Sequence, residues 1–562
     1  MGNNMLRRMP VERATGQLYG GRHRLHVVYK TRDLVVLGLG VMIGAGIFRI
    51  SGVQAATMAG PAVILSFVVA GIVCLLAALS YAELSSIIPV AGSAYSFTYV
   101  TFGEVWAWIV GWSVVLELLL AASVVARAWS LFATQALDDF GVVIPSSLSG
   151  VIGQEKGFDL FALLILLLLI LLLATGARLS LKALWFMVLA KLFVISMIIT
   201  GGLRFFRTAN LTPFVPPSRA AANPAGHTVL DAVLGGTSHV FGYWGIFAAA
   251  PTIAFAYVGF DLITTTAEET EDAPRRVPRG MLISLLLAIV LYIVVAVTMV
   301  GMISYKDLDP SKSPFAVAFA AVGAASMSRV VDIGAVLGLT TVILVVLISL
   351  TRVIFSMGRD GLLPVGFGEV SSRWRVPSRA TLLAGGATVL MSQTVDVLTL
   401  EQMVVLGTLM AFLFVSAGVL ALRRDRPDLQ RPFRVPAAPL TPLLAIVATA
   451  WLMLNLKVET WEYFSIWMTA GIALYLAYGR RRSRLREFLA TPRPAPASRP
   501  LPRPAAPYYL SHYPQTSQPA PQGPHGPHPA GPPPPGAWPQ APGPPSSGPN
   551  PPGADPGPYG QP

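Results

Sequence analysis

Long apolar runs recur along the whole chain and determine its class. A membrane-spanning helix needs about 20 consecutive, mainly apolar residues. A basic segment, residues 1–33, precedes the first run and lacks the continuous apolar core of a cleaved signal peptide. The pattern predicts an all-α integral membrane protein with twelve transmembrane helices, at residues 34–55, 61–83, 105–137, 158–174, 181–203, 240–266, 280–304, 330–355, 380–395, 403–422, 440–456 and 464–478.

Composition and charge agree with a membrane protein. Of 562 residues, 54% are hydrophobic and 12% are charged, whereas soluble domains carry roughly 25% charged residues. With the N-terminus placed in the cytoplasm, the segments on the cytoplasmic side hold most of the 41 lysines and arginines. We therefore expect a multi-pass protein of the plasma membrane with both termini cytoplasmic, in contact with the lipid bilayer and not with nucleic acid. One cysteine and seven scattered histidines predict neither a metal site nor a cofactor.

The end of the chain differs from the rest. Residues 480–562 begin with a basic stretch and continue into a tail that holds more than half of the 47 prolines. This composition cannot bury a core and predicts disorder with polyproline character. We expect three regions: the segment 1–33, a twelve-helix domain at 34–479 and the tail 480–562. The tail is either dispensable or a ligand for a proline-recognising cytoplasmic partner.

Two predicted spans contain glycine clusters. The first reads GLGVMIGAGIF at residues 38–48, and the sixth reads FAYVGFD at residues 255–261. Inside a membrane helix such glycines indicate close packing or an unwound stretch beside a cavity. The clusters lie five spans apart, and an odd number of spans per repeat inverts the second copy. We therefore predict an inverted five-helix repeat, helices 1–5 (34–207) and 6–10 (240–422), followed by two C-terminal helices (439–479), with helices 1 and 6 unwound at mid-membrane.

An unwound helix exposes backbone groups of both signs. Free N–H groups at the start of the following half-helix suit a carboxylate, and free carbonyls at the end of the preceding half suit an ammonium group. Two such breaks in matching positions therefore predict a midplane site for the zwitterionic head of an amino acid. Small-residue helix packing is the alternative interpretation of either cluster alone.

Ionisable residues inside predicted spans need a reason, since each costs about 2.5 to 3.5 kcal/mol at the helix centre. Burial disfavours the charged form of a lysine, so Lys191 near the centre of span 5 is a candidate proton carrier; a side chain reaching the interface is the alternative. Glu117 in span 3 and Asp261 after the second cluster are candidates for a gate or polar pathway, with structural hydrogen bonding as the alternative. We expect Arg127 to extend its charged end outward.

Several segments together resemble the amino acid-polyamine-organocation superfamily, and most closely its cationic amino acid transporter branch. They are IGAGIF (43–48), YAELSS through PVAGSAY (81–95), GEVWAWIVGW (103–112), FAYVGF with TTTAEE (255–269), RVIFSMGRDGLLP (352–364) and RPFRVP (431–436). The resemblance extends over all twelve predicted helices, roughly residues 32–486. The resemblance implies a secondary transporter that moves amino acids by alternating access.

The resemblance also implies roles for individual residues. Lys191 stands where sodium-coupled relatives bind sodium, which implies proton coupling, and Glu117 stands where the branch carries an acidic residue near the substrate path. Phe255 would cover the substrate as part of a gate. Leu339 is apolar, and Ser113 stands where the branch carries an acidic residue, so the side-chain preference, cationic or neutral, stays open. The substrate-binding residues would be Met42, Ile43, Gly44, Ala45, Gly46, Phe255, Ala256, Val258, Gly259 and Leu339.

The sequence thus predicts proton-coupled amino acid uptake. Exchange of one amino acid for another on the same fold is the alternative mechanism, and a non-transporting amino acid sensor that signals through the tail is the alternative function. No nucleophile, catalytic carboxylate pair or metal constellation stands near the glycine clusters, so we do not expect an enzyme.

Overall fold

A computed structural model describes residues 7–16, 27–44, 46–142, 145, 150–154, 156–176, 181–220, 227–236, 239–308, 313–374 and 376–485. The predicted site residue Ala45 and residues 486–562, which include the proline-rich part of the tail, lie outside these residues. The described part is mostly helical and includes one short antiparallel ribbon, formed by β1 (Arg219–Ala220) and β2 (His239–Val240).

Helices follow one another along the chain with short connections. The α-helices are α1 (Val11–Gly16), α2 (Thr31–Met42), α3 (Ser51–Gln54), α4 (Val63–Ile87), α5 (Ala94–Thr101), α6 (Glu104–Asp139), α7 (Leu160–Ala174), α8 (Leu181–Leu203), α9 (Val229–Leu234), α10 (Gly242–Tyr257), α11 (Ala273–Met302), α12 (Pro314–Ala321), α13 (Ala325–Arg359), α14 (Ser378–Thr394), α15 (Val397–Asp425), α16 (Leu440–Leu454), α17 (Val458–Leu474) and α18 (Arg480–Arg482). Short π and 3-10 segments occupy Gly46–Ile50, Ala55–Ala59, Gly60–Ala62, Thr208–Leu211, Asp261–Glu269, Val365–Gly368 and Tyr475–Gly479.

Within the described residues, seven helical segments are long and apolar enough to cross a membrane. They are Gly46–Ile87, Glu104–Asp139, Leu181–Leu203, Gly242–Glu269, Ala273–Met302, Ser326–Arg359 and Leu400–Asp425, and two shorter apolar helices are Leu160–Ala174 and Leu440–Leu454. A helical segment is present at each of the twelve predicted positions. The number of membrane crossings and the inverted repeat stay predictions.

Large apolar side chains cover the outside of several helices. Leu168 on α7 is 61% exposed, Phe186 on α8 is 72% exposed and Leu390 on α14 is 63% exposed. Extended apolar surface of this kind is unfavourable in water, whereas lipid chains accept it without cost. The exposed surface therefore agrees with a protein embedded in a bilayer.

The two longest helices, α6 and α13, run antiparallel and form one side of the core. Trp129 Nε1 donates to Thr340 Oγ1 at 2.9 Å near one end of the pair. Towards the other end, Gly111 approaches Met357 so closely that an added Cβ would lie 3.2 Å from the methionine Cε. These contacts fix the register of the two helices.

The prediction that Arg127 extends outward is wrong. Its side chain is buried, and Nε donates to Ser392 O at 2.6 Å, Nη1 to Gln154 O at 2.7 Å, and Nη2 to Gly157 O. The fully buried Asp159 carboxylate lies 3.9 Å from Nη1. A buried charge is tolerated when it is paired and hydrogen-bonded, and here the guanidinium joins α6 to α14 and to the segment before α7.

Candidate functional site

The first glycine cluster interrupts a helix. α2 ends at Met42, and the chain is helical again from Gly46, as a π-helix. Two carbonyls near the end of α2 accept hydrogen bonds from Lys191 Nζ, at 2.6 Å for Gly40 O and 3.0 Å for Ile43 O. Carbonyls that a helix end leaves without an intrahelical donor need another partner, and the lysine of α8 provides it.

Lys191 is therefore a clamp on the first break. Its side chain is 1% exposed, and the ion pairs found among the described residues do not include it. The C-terminal end of a helix carries partial negative charge. Backbone dipoles, and not a carboxylate, thus surround the amino group that the sequence singles out for proton coupling.

The second glycine cluster also interrupts a helix. α10 ends at Tyr257, Val258 is extended with ψ of 136°, and Gly259 has φ of 121°, a conformation that side-chain-bearing residues rarely adopt. The chain then continues as the 3-10 helix Asp261–Glu269. Asp261 is buried, and its Oδ1 accepts the N–H of Gly259 at 3.2 Å. The carboxylate predicted for a polar pathway therefore holds the turn that follows α10.

Two glycines allow the breaks to touch each other. A Cβ added to Gly46 would lie 2.5 Å from the Cβ and 2.6 Å from the Cα of Ala256. A Cβ added to Gly259 would lie 2.5 Å from Cγ1 of Val41 in α2. All three distances are shorter than non-bonded carbon atoms allow, so these positions accept only glycine unless the neighbouring atoms shift. The breaks are thus packed directly against each other.

A tyrosine on a third helix joins both breaks. Tyr292 of α11 is buried, and its hydroxyl lies within hydrogen-bond distance of two backbone carbonyls, Ala256 O at 3.1 Å and Met42 O. One carbonyl belongs to each interrupted helix. Sequence reasoning missed this residue; a single hydroxyl in an otherwise apolar stretch of α11 was the signal available.

We expect Tyr292→Phe to destabilise the protein, because two buried carbonyls would lose their shared donor. An unsatisfied buried polar group costs about 1 to 3 kcal/mol. The melting temperature in detergent should therefore fall clearly below that of the wild type. Tyr243→Phe, on the 75% exposed Tyr243 of α10, is the matched control and should melt like the wild type. Equal melting temperatures for both variants would contradict the role of the hydroxyl.

A cavity of about 30 Å³ lies between the two breaks. Apolar side chains and glycines line it throughout: Val41, Met42, Gly44, Gly46, Leu118, Ala121, Val125, Phe255, Ala256, Val258, Leu262, Val342 and Val346. A space of this size is too small for an amino acid, so the surrounding side chains or helices must move apart before one can bind.

Most of the predicted substrate-binding residues meet at this cavity. Met42, Gly44, Gly46, Phe255, Ala256 and Val258 line it. Ile43 and Gly259 lie at the breaks but form no part of the wall, and Leu339 is fully buried elsewhere on α13. Val342 and Val346 are the α13 residues that reach the cavity.

Glu117 lies behind the cavity wall, between α6 and α15. It is completely buried, and its Oε1 accepts a hydrogen bond from Thr408 at 2.7 Å. Ser113, one turn earlier, donates to Gly407 O at 3.3 Å. A Cβ on Gly407 would lie 3.0 Å from the Cβ of Glu117. Glu117 thus links two closely packed helices, and its part in a pathway stays a prediction.

Two ion pairs join the segments that follow the breaks to neighbouring helices. Arg49 Nη1, after the first break, lies 3.2 Å from Glu401 Oε1 of α15. Arg352 Nη2 of α13 lies 2.6 Å from Glu269 Oε1, at the end of the 3-10 helix after the second break. All four side chains are mostly shielded from solvent, with exposures of 11% to 16%.

The cavity wall offers binding and no catalytic chemistry. It contains no nucleophile, acid or base. In the part of the chain that the structure describes, His, Cys, Asp and Glu nowhere form a group of three or more that could hold a metal ion. The arrangement therefore suits the reversible enclosure of a small molecule.

A comparison with protein families decides the identity. The family described as "Amino acid permease" matches residues 29–477, a range that includes both breaks, Lys191 and the whole cavity wall. The chain belongs to the amino acid permease family. It is a multi-pass membrane protein that transports amino acids and is not an enzyme. The resemblance to the cationic amino acid transporter branch is confirmed.

Individual relatives align with this permease over most of its length. The branched-chain amino acid permease BcaP of Bacillus subtilis is 37% identical over 459 residues, which is 81% of this chain and 93% of the relative. The methylthioribose transporter of the same species is 35% identical, covering 86% of this chain and 99% of the relative. Cationic amino acid transporter 4 of Mus musculus is 36% identical, covering 74% of this chain and 61% of the relative.

Proposed function

We propose that this permease takes up neutral aliphatic amino acids together with protons, by alternating access across the plasma membrane. The observation that carries the substrate class is the cavity wall, which consists of apolar side chains and glycine. A lysine or arginine substrate would leave its charge unpaired against this wall, which is costly in a low-dielectric environment. Two relatives, 37% and 33% identical, bear the name branched-chain amino acid permease, which supports the same class.

The zwitterionic head of the substrate would bind to the backbone of the two breaks. N–H groups at the start of the π-helix from Gly46 would bind the carboxylate, as helix N-termini do. Carbonyls of Phe255, Ala256 and Val258 would accept hydrogen bonds from the ammonium group. Phe255, which is buried on the wall, would cover the substrate. Proton coupling would reside in Lys191, which contacts the first break from behind.

Alternating access requires the cavity to open at one end at a time. In the proposed topology of twelve helices with an inverted repeat and cytoplasmic termini, the Arg49–Glu401 pair lies towards the outside and the Arg352–Glu269 pair towards the cytoplasm. In the described conformation both pairs are formed, and the cavity between the breaks measures about 30 Å³. We propose that the two pairs separate alternately, each release opening the cavity to one side.

A panel of amino acids tests the substrate class directly. We expect leucine, isoleucine and valine to raise the melting temperature of the purified permease in proportion to ln(1 + [L]/Kd), and lysine and arginine to have no such effect. In proteoliposomes, leucine should accumulate when the lumen is more alkaline than the medium. Binding without transport would favour the sensor alternative, and uptake only by exchange with internal amino acid would favour the antiporter.

A variant of the cavity wall provides the matched control. Val346→Phe adds bulk where an aliphatic side chain would lie, so leucine transport should fall much more than alanine transport. Val447→Phe, on the 64% exposed Val447 of α16, should change neither. Stabilisation and uptake of arginine, or transport of methylthioribose but of no amino acid, would contradict the proposal.

A further inference from the structure

A cluster of arginines follows the last long helix. Arg480, Arg481, Arg482 and Arg484 are exposed, and the ion pairs found in the described part of the chain include none of them. Four guanidinium groups within five residues repel one another unless anions lie between them. We refer to these four side chains as the basic cluster.

Hydrogen bonds and a buried side chain hold this segment against the rest of the protein. Ser483 Oγ donates to Glu104 Oε2 at 2.5 Å, and Tyr475 OH donates to Glu104 Oε1 at 3.0 Å. Leu485 is 1% exposed. Buried residues at 483 and 485 therefore alternate with exposed arginines. The fold holds the segment against the start of α6 and directs the basic side chains outward.

In the proposed twelve-helix topology, the segment follows the cytoplasmic end of the last membrane helix, and this position indicates which anion would bind. Ile472 and Leu476, just before the basic cluster, are 45% and 47% exposed, as expected for side chains that contact lipid tails. The arginines follow Leu476 within about two helical turns. Basic residues immediately beyond a membrane helix lie at the depth of the lipid headgroups and attract anionic lipids. An anionic phospholipid matches both the charge and the depth.

The segment also contacts a helix that lines the substrate cavity. The N–H of Arg484 donates to Asp360 O at 3.1 Å, directly after the end of α13. Gly361, with φ of 78°, approaches Arg482 O so closely that an added Cβ would lie 2.5 Å from this oxygen. α13 carries Arg352 of one ion pair and two residues of the cavity wall. A ligand that restrains this segment would therefore also restrain the end of α13, a helix of the transport site.

We propose that the basic cluster binds the phosphate headgroups of anionic phospholipids and that this binding steadies the end of α13 during transport. The guanidinium groups provide planar donors that match phosphate oxygens. Glu104 and Ser483 act as positioning residues for the cluster. The proposal goes beyond the proposed function and holds for any substrate, because neither the cluster nor its anchor contacts the cavity.

The experiment measures lipid binding and transport separately on the full-length protein. Short-chain phosphatidylglycerol is titrated into protein in neutral detergent, and the melting temperature is recorded, with phosphatidylcholine as the neutral lipid. The variant is Arg480→Gln/Arg481→Gln/Arg482→Gln. The matched control, Arg275→Gln/Arg373→Gln/Arg424→Gln, removes three exposed arginines that lie far apart in the sequence. Initial transport rates are then compared in liposomes with and without phosphatidylglycerol.

We expect phosphatidylglycerol to stabilise the wild type and the control at similar concentrations. The cluster variant should need at least about tenfold more phosphatidylglycerol for the same stabilisation. Its transport rate should be the same with and without this lipid. Equal lipid dependence of the cluster variant and the wild type would overturn the proposal. It would also be overturned if the control variant lost as much lipid-dependent stabilisation as the cluster variant. Equal stabilisation by soluble glycerol phosphate would overturn the assignment to a membrane lipid. Lipid binding without any effect on transport would overturn the link to α13.

Discussion

Lys191→Met should abolish the accumulation of leucine that an alkaline lumen drives. Methionine has a similar length but can neither carry a proton nor donate a hydrogen bond. In the structure, the amino group is the donor to Gly40 O and Ile43 O at the first break. If this group binds and releases the transported proton, its removal uncouples the substrate site from the pH gradient. The measurement is labelled leucine uptake into proteoliposomes with and without the gradient.

A second assay separates proton coupling from damage to the site. Counterflow, in which internal and external leucine exchange, needs no net proton movement and should persist in Lys191→Met. Lys182→Met on the same helix, where Lys182 is exposed, should retain gradient-driven accumulation. If the Lys191 variant still accumulated leucine, its coupling role would be refuted. Loss of both driven uptake and counterflow in a folded variant would show that Lys191 serves only to clamp the break.

The sequence predicts the helix breaks well because glycine clusters have few uses inside a membrane helix. The structure ends α2 at Met42 and α10 at Tyr257, inside the two clusters. Lys191 follows from the same reasoning, since a charged group in an apolar span requires polar partners. Here those partners are backbone carbonyls that the first break leaves free. Local chemistry alone therefore reveals these features.

Depth along a helix and distant partners are not local, and the sequence does not reveal them. Leu339 and Val342 lie one turn apart on α13, yet only Val342 reaches the cavity. Periodicity predicts which face of a helix is buried, but not at which depth along the helix a cavity lies. The hydroxyl of Tyr292 has its function only because α11 packs across both breaks. Arg127 is buried because a carbonyl 265 residues away in sequence, Ser392 O, accepts a hydrogen bond from its Nε. Each of these depends on how helices assemble.

Gly46→Ala should impair transport strongly although it adds one methyl group. The new Cβ would lie 2.5 Å from the Cβ of Ala256 and 2.6 Å from its Cα. Backbone at one of the breaks must then shift, and overpacking of this kind costs about 1 to 3 kcal/mol. Because the displaced groups are those proposed to bind the substrate head, we expect the half-saturating leucine concentration to rise about tenfold or more.

The cause can be tested by relieving the contact from the other side. Ala256→Gly removes one of the two atoms that Gly46→Ala would meet, so the double variant should regain part of the lost transport. Gly386→Ala on α14, where an added Cβ meets nothing within 4 Å, should transport like the wild type. Positions in contact deviate from additivity, whereas independent positions add. Strictly additive losses in the double variant would show that the breaks do not touch in the transporting protein, and the proposed shared site between them would lose its geometric basis.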